Sequence, residues 1–153
     1  MDRIVALRDV REGHPATKTH TRNPDGSWAD PVAYTMGREF RWAVKELGGF
    51  DDLADVLAKV GARSEWFVVR GDVAPNAPDT IPRTYKPEGS WITDADRRWL
   101  CVDIDDARAD PERCHIAQAL ELLPSWLRDA RCVWQYSSSH GVKAPTKIPV
   151  HLC

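Results

Sequence analysis

The sequence predicts an α+β fold with a break near the middle of the chain, and three observations predict it. Apolar runs of strand length stand at residues 3–10, 65–70, 98–105 and 131–139, and a last one closes the chain. Windows of helical periodicity lie among them without a regular strand–helix repeat. Residues 75–90 carry Pro75, Pro78, Pro82 and Pro87 and have the composition of a connection rather than of a packed element. With 153 residues, 42% of them hydrophobic and 29% charged, the chain suffices for one domain or two small lobes and is no disordered segment.

The elements follow in order. "RIVALRDV" at 3–10 alternates loosely, as a strand does. Residues 12–30 are rich in Gly, Pro, Thr and Asn, and "NPDGSW" within them signals a turn or hairpin. Residues 36–47 place Phe40, Val44 and Leu47 at helical spacing with Trp42 off that stripe, and Gly48 and Gly49 follow as a stop. A second helix fits 51–61: acidic residues open it, Leu53, Val56, Leu57 and Val60 form its apolar stripe, and Gly61 ends it. "EWFVVRG" reads as a buried strand. Beyond the linker comes a strand ending in "VDID", then a helix from Pro111 with Ile116, Ala119, Leu120 and Leu123 as its core face. Pro124 should kink or end that helix. "RCVWQYSSS" and "KIPVHLC" complete the chain as two paired strands. The expected organisation is a first αβ lobe at 1–74, a linker at 75–90 and a second lobe at 91–153.

Charge and cysteine content narrow the function classes. The formal net charge is −2, so no global positive field marks a nucleic-acid binder, and such a role requires a local basic patch. The first residues, "MDRIVALRDVREG", interrupt their apolar positions with charge and do not resemble a secretory signal; no run is long enough to span a bilayer. Cys101, Cys114, Cys132 and Cys153 are scattered without CxxC spacing, which suits free thiols in a cytoplasmic protein better than a disulfide framework or zinc.

The chemistry gathers in the second half. Residues 97–106, "RRWLCVDIDD", end an apolar run in Asp103, Asp105 and Asp106. Side chains of a strand repeat every two residues, so Asp103 and Asp105 are expected on one face with Ile104 turned the other way. Two carboxylates there suit Mg²⁺ or Mn²⁺, hard ions that take oxygen ligands. Acids at a strand end more often face water, but the "WLCV" before them makes an unpaired double charge costly and favours a cation. The second constellation is "SSSHGVKAPTKIPVHLC". Ser139 and His140 lie in a small-residue loop whose hydroxyls and amides could cradle phosphate, Lys143 and Lys147 could neutralise it, and His151 sits in the returning strand. A Ser–His nucleophilic pair would need an elbow such as G-x-S-x-G, which is absent.

Taken together these residues resemble the archaeo-eukaryotic primase superfamily, and the phage and plasmid primase-polymerases in particular. The family's first motif, apolar-D-x-D/E, matches Val102, Asp103, Ile104 and Asp105, and implies that Asp103 and Asp105 bind catalytic metals. Its S-x-H motif aligns on Pro149, Val150 and His151, with Pro149 where serine is usual. The resemblance gives His151 a contact to the phosphates of an incoming nucleoside triphosphate, and makes Ser139, His140, Lys143 and Lys147 further nucleotide contacts. It implies a primase-polymerase-like fold, with an RRM-like catalytic lobe behind an N-terminal αβ lobe that "FDDLADVLAKVGARSEWFVVRG" also resembles. The implied activity is a DNA primase and polymerase of a phage or plasmid replication protein. It would use Mg²⁺ or Mn²⁺, a nucleoside triphosphate and a single-stranded DNA template, with a fused or separate helicase and no membrane.

The family's third motif, an apolar residue followed by Asp, has no counterpart before Cys153. The catalytic lobe is therefore expected to be incomplete and the sequence to be an N-terminal portion of a longer protein, whose isolated activity is in doubt. Two rivals remain. One is a haloacid dehalogenase-like phosphatase, similar only at "VDIDD" and expected to leave His151 remote. The other is an inactive primase-like module that binds nucleic acid or a partner protein. Seven tryptophans suit stacking on bases as well as burial, with Trp28 and Trp91 in expected loops.

Overall fold

The computed structural model describes residues 2–16, 18, 20–30, 32, 37–83, 90–108, 115–136 and 147–152; in 103–108, 115, 135, 136 and 147–152 the description is of the backbone. The chain mixes helix with antiparallel sheet and divides into two units, Met1–Thr17 with Ala33–Arg98, and Lys18–Val32 with Trp99–Cys153. Residues 91–98, which composition groups with the second lobe, thus belong to the first unit. No helix among the described residues is long and apolar enough to cross a membrane.

The first unit is built around β1 (Asp2–Asp9), which has β2 (Phe40–Leu47) on one side and β3 (Trp66–Val69) on the other. Ile4, Val5, Ala6 and Leu7 are all buried, as a strand covered on both faces requires. Val5 and Leu7 join Phe40 and Ile81 in one cluster, with Phe67 packed edge-on to Phe40 at 5.3 Å between ring centres. Ile4 and Ala6 occupy the opposite face, where α1 (Phe50–Gly61) lies. Asp52 accepts the Gly48 N–H at 2.7 Å near the start of α1, and Leu53 is the helix's buried anchor. The Ala62 N–H closes the last turn onto the Ala58 carbonyl.

Residues 40–47 are a strand, not the helix that spacing predicts. Every residue of β2 pairs with β1, from Phe40 opposite Asp9 to Leu47 opposite Asp2. Phe40, Trp42 and Val44 also satisfy a period of two, and that is the period the sheet uses. The strand accounts for Trp42, which no helical stripe included: it stands opposite Leu7 and donates its indole N–H to the Pro78 carbonyl at 2.8 Å. A long-range partner decided between two periods that the local sequence satisfies equally.

The proline-punctuated stretch is also more than a connection. Within it β5 (Thr80–Ile81) pairs with β2, Ile81 is fully buried, and Ala77 packs on the same cluster. A small second sheet joins β4 (Asp72–Val73) to β6 (Ile92–Thr93), and Gly71 leaves no room there for a Cβ against Ile92. Asp72 binds Arg3 at 2.6 Å and lies 3.5 Å from Arg97.

In the second unit "NPDGSW" turns as its composition predicts. Gly26 takes φ +85°, Asp25 accepts the Ser27 N–H and hydroxyl, and Arg22 bridges to Trp28. The remainder is β7 (Val102–Arg108), α2 (His115–Glu121), α3 (Ser125–Arg128), β8 (Trp134–Tyr136) and β9 (Lys147–Leu152). Ala119 and Leu123 form a buried pair against which Val102, Ile116, Leu120, Leu127 and Cys132 pack, so the predicted helix stripe is the observed core. Pro124 separates α2 from α3, and Arg128 donates to the carbonyls of Glu121 and Leu123, satisfying acceptors that the helix end leaves open.

Candidate active site

The three strands of the second unit lie in the order β7–β9–β8, so β9 is central and pairs with both neighbours. This is the hairpin expected of the last two strands, with β7 added along its other side. The register sets Asp103 of β7 directly opposite His151 of β9. Directly opposed residues of an antiparallel pair belong to one face and have Cα atoms about 4.5–5.5 Å apart. Two residues separated by nearly fifty positions in sequence thus share one rung of the ladder.

That rung continues. His151 is also opposite Gln135 of β8, so Asp103, His151 and Gln135 occupy one register row across all three strands. Sequence reading passed over Gln135, because "VWQYSSS" offers no motif around it. Counting back along the β8–β9 hairpin from an assumed register would have found it. The flanking rows are apolar or aromatic: Val102, Leu152 and Trp134 on one side, Ile104, Val150 and Tyr136 on the other.

Asp105 requires a different argument. The register runs regularly to Ile104 opposite Val150 and resumes at Ala107 opposite Ile148. Asp105 and Asp106 therefore stand against the single residue Pro149, two residues facing one as in a β-bulge. Proline has no N–H to donate, and inside a central strand it is tolerated where the ladder is irregular. Pro149, the departure from S-x-H, lies where the ladder breaks. The alternation that would set Asp103 and Asp105 on one face holds through Ile104 and is interrupted there. Bulges bend a strand and re-aim the side chains next to them. Asp106, which the sequence reading left aside, shares the bulge with Asp105.

Lys147 begins β9 opposite Arg108 and shares its odd-numbered face with Pro149 and His151. Ser139, His140 and Lys143 lie outside the described residues. Among the described residues, no group of three or more His, Cys, Asp or Glu side chains is gathered to hold a metal ion.

Among the described residues the most strongly perturbed carboxylate lies elsewhere, in the first unit. Asp9, 3% exposed, accepts the Arg11 Nε–H at 3.0 Å, its Nη2–H at 2.7 Å and its backbone N–H at 2.9 Å. These bonds, the guanidinium's foremost, outweigh burial and hold its pKa down to about 2. His14 Nδ1 stands 3.7 Å away, and a Cβ on Gly37 would run into the carboxylate. Every charge there has a partner, which marks the cluster as structural. Comparison with family models, with curated proteins and with solved structures finds no match to this chain.

Proposed function

We propose that the second unit carries part of the site of a metal-dependent nucleotidyltransferase of the primase-polymerase kind, in a phage or plasmid replication protein. The observation that supports this reading is the register of Asp103 opposite His151. A polymerase site needs a metal-binding carboxylate and a phosphate-binding group side by side, and a dehalogenase-like site has no use for that histidine. The finer fold, an incomplete RRM-like lobe behind an αβ lobe, belongs to the same proposal.

The donors suit the ion. Asp103 and Asp105 offer hard carboxylate oxygens, as Mg²⁺ or Mn²⁺ prefers, and Asp106 adds a third in the bulge. When bound, such ions activate a primer hydroxyl and neutralise charge on the departing pyrophosphate. The chain's own residues bind and orient. His151 donates a hydrogen bond to a phosphate oxygen, and Lys147 supplies a positive charge further along the same strand face. Lys143, Ser139 and His140, which precede β9 in sequence, complete the phosphate contacts in this reading. Charge that develops on the phosphates then meets donors already in place.

Calorimetric titration of a deoxynucleoside triphosphate tests the reading, with and without Mn²⁺, on the wild type and on Asp103→Ala/Asp105→Ala. Binding that requires Mn²⁺ and disappears in the double variant is expected. The unfolding midpoint should stay where it is, because removing crowded carboxylates relieves repulsion. Equal binding by both proteins, or a destabilised double variant, would count against the assignment.

A further inference from the structure

A second feature lies in the first unit, on the face of its sheet that α1 partly covers. The register places Arg8 opposite Arg41 and Ile4 opposite Lys45, with Ala6 and Ala43 between. On its other side Arg8 is opposite Trp66, and its guanidinium lies 5.7 Å from the centre of that ring. Lys45 and Trp66 line a cleft of about 200 Å³ between sheet and helix, to which α1 and the turn after it contribute Lys59 and Arg63. Five cations therefore share this face and the rim of its cleft: Arg8 over the half-buried indole, Arg41 on the strand beyond it, and Lys45, Lys59 and Arg63 along the cleft. Among the described residues none of the five forms an ion pair. Along β1 and β2 the one carboxylate on this face is Asp2, at the far end, where it accepts the backbone N–H groups of Arg3 and Arg98.

Structural roles explain part of this. Lys59 and Arg63 complement the negative end of the α1 dipole, and Arg8 is held by Trp66. Arg41 and Lys45 have no such role. Two arginines directly opposed across a ladder are unfavourable, so the Arg8–Arg41 pair works against stability. In a chain of net charge −2, that concentration of cations is the local basic patch that nucleic-acid binding requires.

We infer that this face binds the phosphate backbone of a single-stranded nucleic acid. Arginine forks suit phosphate oxygens, and a basic groove beside an aromatic ring is how single strands are held without sequence preference. The choice of a single strand rests on the reading above, in which a single-stranded template is the partner. The face itself requires no polymerase chemistry, and a module that merely binds nucleic acid would use it equally.

The test is fluorescence anisotropy of a labelled oligothymidylate with the whole chain, in EDTA and without nucleotide, over a series of salt concentrations. Five phosphate contacts would make log K fall against log salt with a slope of about −3.5. Arg41→Gln and Lys45→Gln, both exposed positions, should each weaken binding several-fold and reduce that slope by about 0.7. Arg83→Gln, which removes a cation stacked on Phe67 from the opposite face, should change neither quantity. Asp103→Ala should bind the oligonucleotide as the wild type does, so loss of the metal site and loss of this face are told apart. Unchanged binding in the Arg41 and Lys45 variants would overturn the inference, as would no binding at low salt. Equal affinity for polyglutamate would make the face a site for acidic polypeptides and overturn it as well.

Discussion

Asp9 shows how much a single residue can be bound to its neighbours in sequence. Its pKa is lowered from 3.8 to about 2, so its contribution to stability is complete above pH 3.8 and is lost as the pH falls toward 2. The size is on the order of 2 kcal/mol at neutral pH. Asp9→Asn should lower the thermal midpoint at pH 7, and the gap to the wild type should narrow between about pH 4 and pH 2. A gap that persists at pH 2 would mean that packing, not charge, sets the cost. Gln135 is the second residue that the register brings forward. A carboxamide beside His151 both donates and accepts, so Gln135→Ala should weaken Mn²⁺-dependent nucleotide binding by about tenfold, the worth of one hydrogen bond to a charged group. Unchanged affinity would make Gln135 a bystander of the sheet. Neither role was legible beforehand. Asp9 reads as an ordinary acid at a strand end, and Gln135 reads as an isolated polar residue before a serine run.

Among elements, β1 carries the first unit. It has strands on both sides and buried side chains on both faces, so a defect in it is felt by the whole sheet. Leu7→Ala, at a fully buried position against Phe40 and Ile81, should cost about 3 kcal/mol in a denaturant titration. A loss below about 1 kcal/mol would show that the site collapses to fill the gap. The sequence was readable where periodicity and punctuation agreed. Residues 3–10 alternate as a strand, 51–61 run from acidic start to glycine stop, and Ile116, Ala119, Leu120 and Leu123 mark a helix face that Pro124 terminates. It misled at 40–47, where two periods fit and the partner strand chose. It misled again at Thr80–Ile81, where prolines hid a buried strand.

Across the whole molecule, net charge conceals how charge is arranged. The chain is slightly acidic, yet one sheet face and the helix end over it gather Arg8, Arg41, Lys45, Lys59 and Arg63, and the salt dependence expected of oligonucleotide binding belongs to that arrangement. The sequence by itself determined the mixture of helix and strand, the presence of a strand through Asp103 and Asp105, the closing hairpin and the cores that the helices bury; it placed that strand too early, for β7 runs from Val102 to Arg108 and Asp103 stands near its start. All of these rest on local periodicity, turn chemistry and composition, which act over a few residues. What the tertiary structure decided is which strands are neighbours and in what register. The pairing of Asp103 with His151, the addition of Gln135, the bulge of Asp105 and Asp106 against Pro149 and the placing of Arg8 between Trp66 and Arg41 all follow from contacts distant in sequence. Side-chain alternation tells a strand which of its residues share a face, but it carries no information about what lies across the next hydrogen bond.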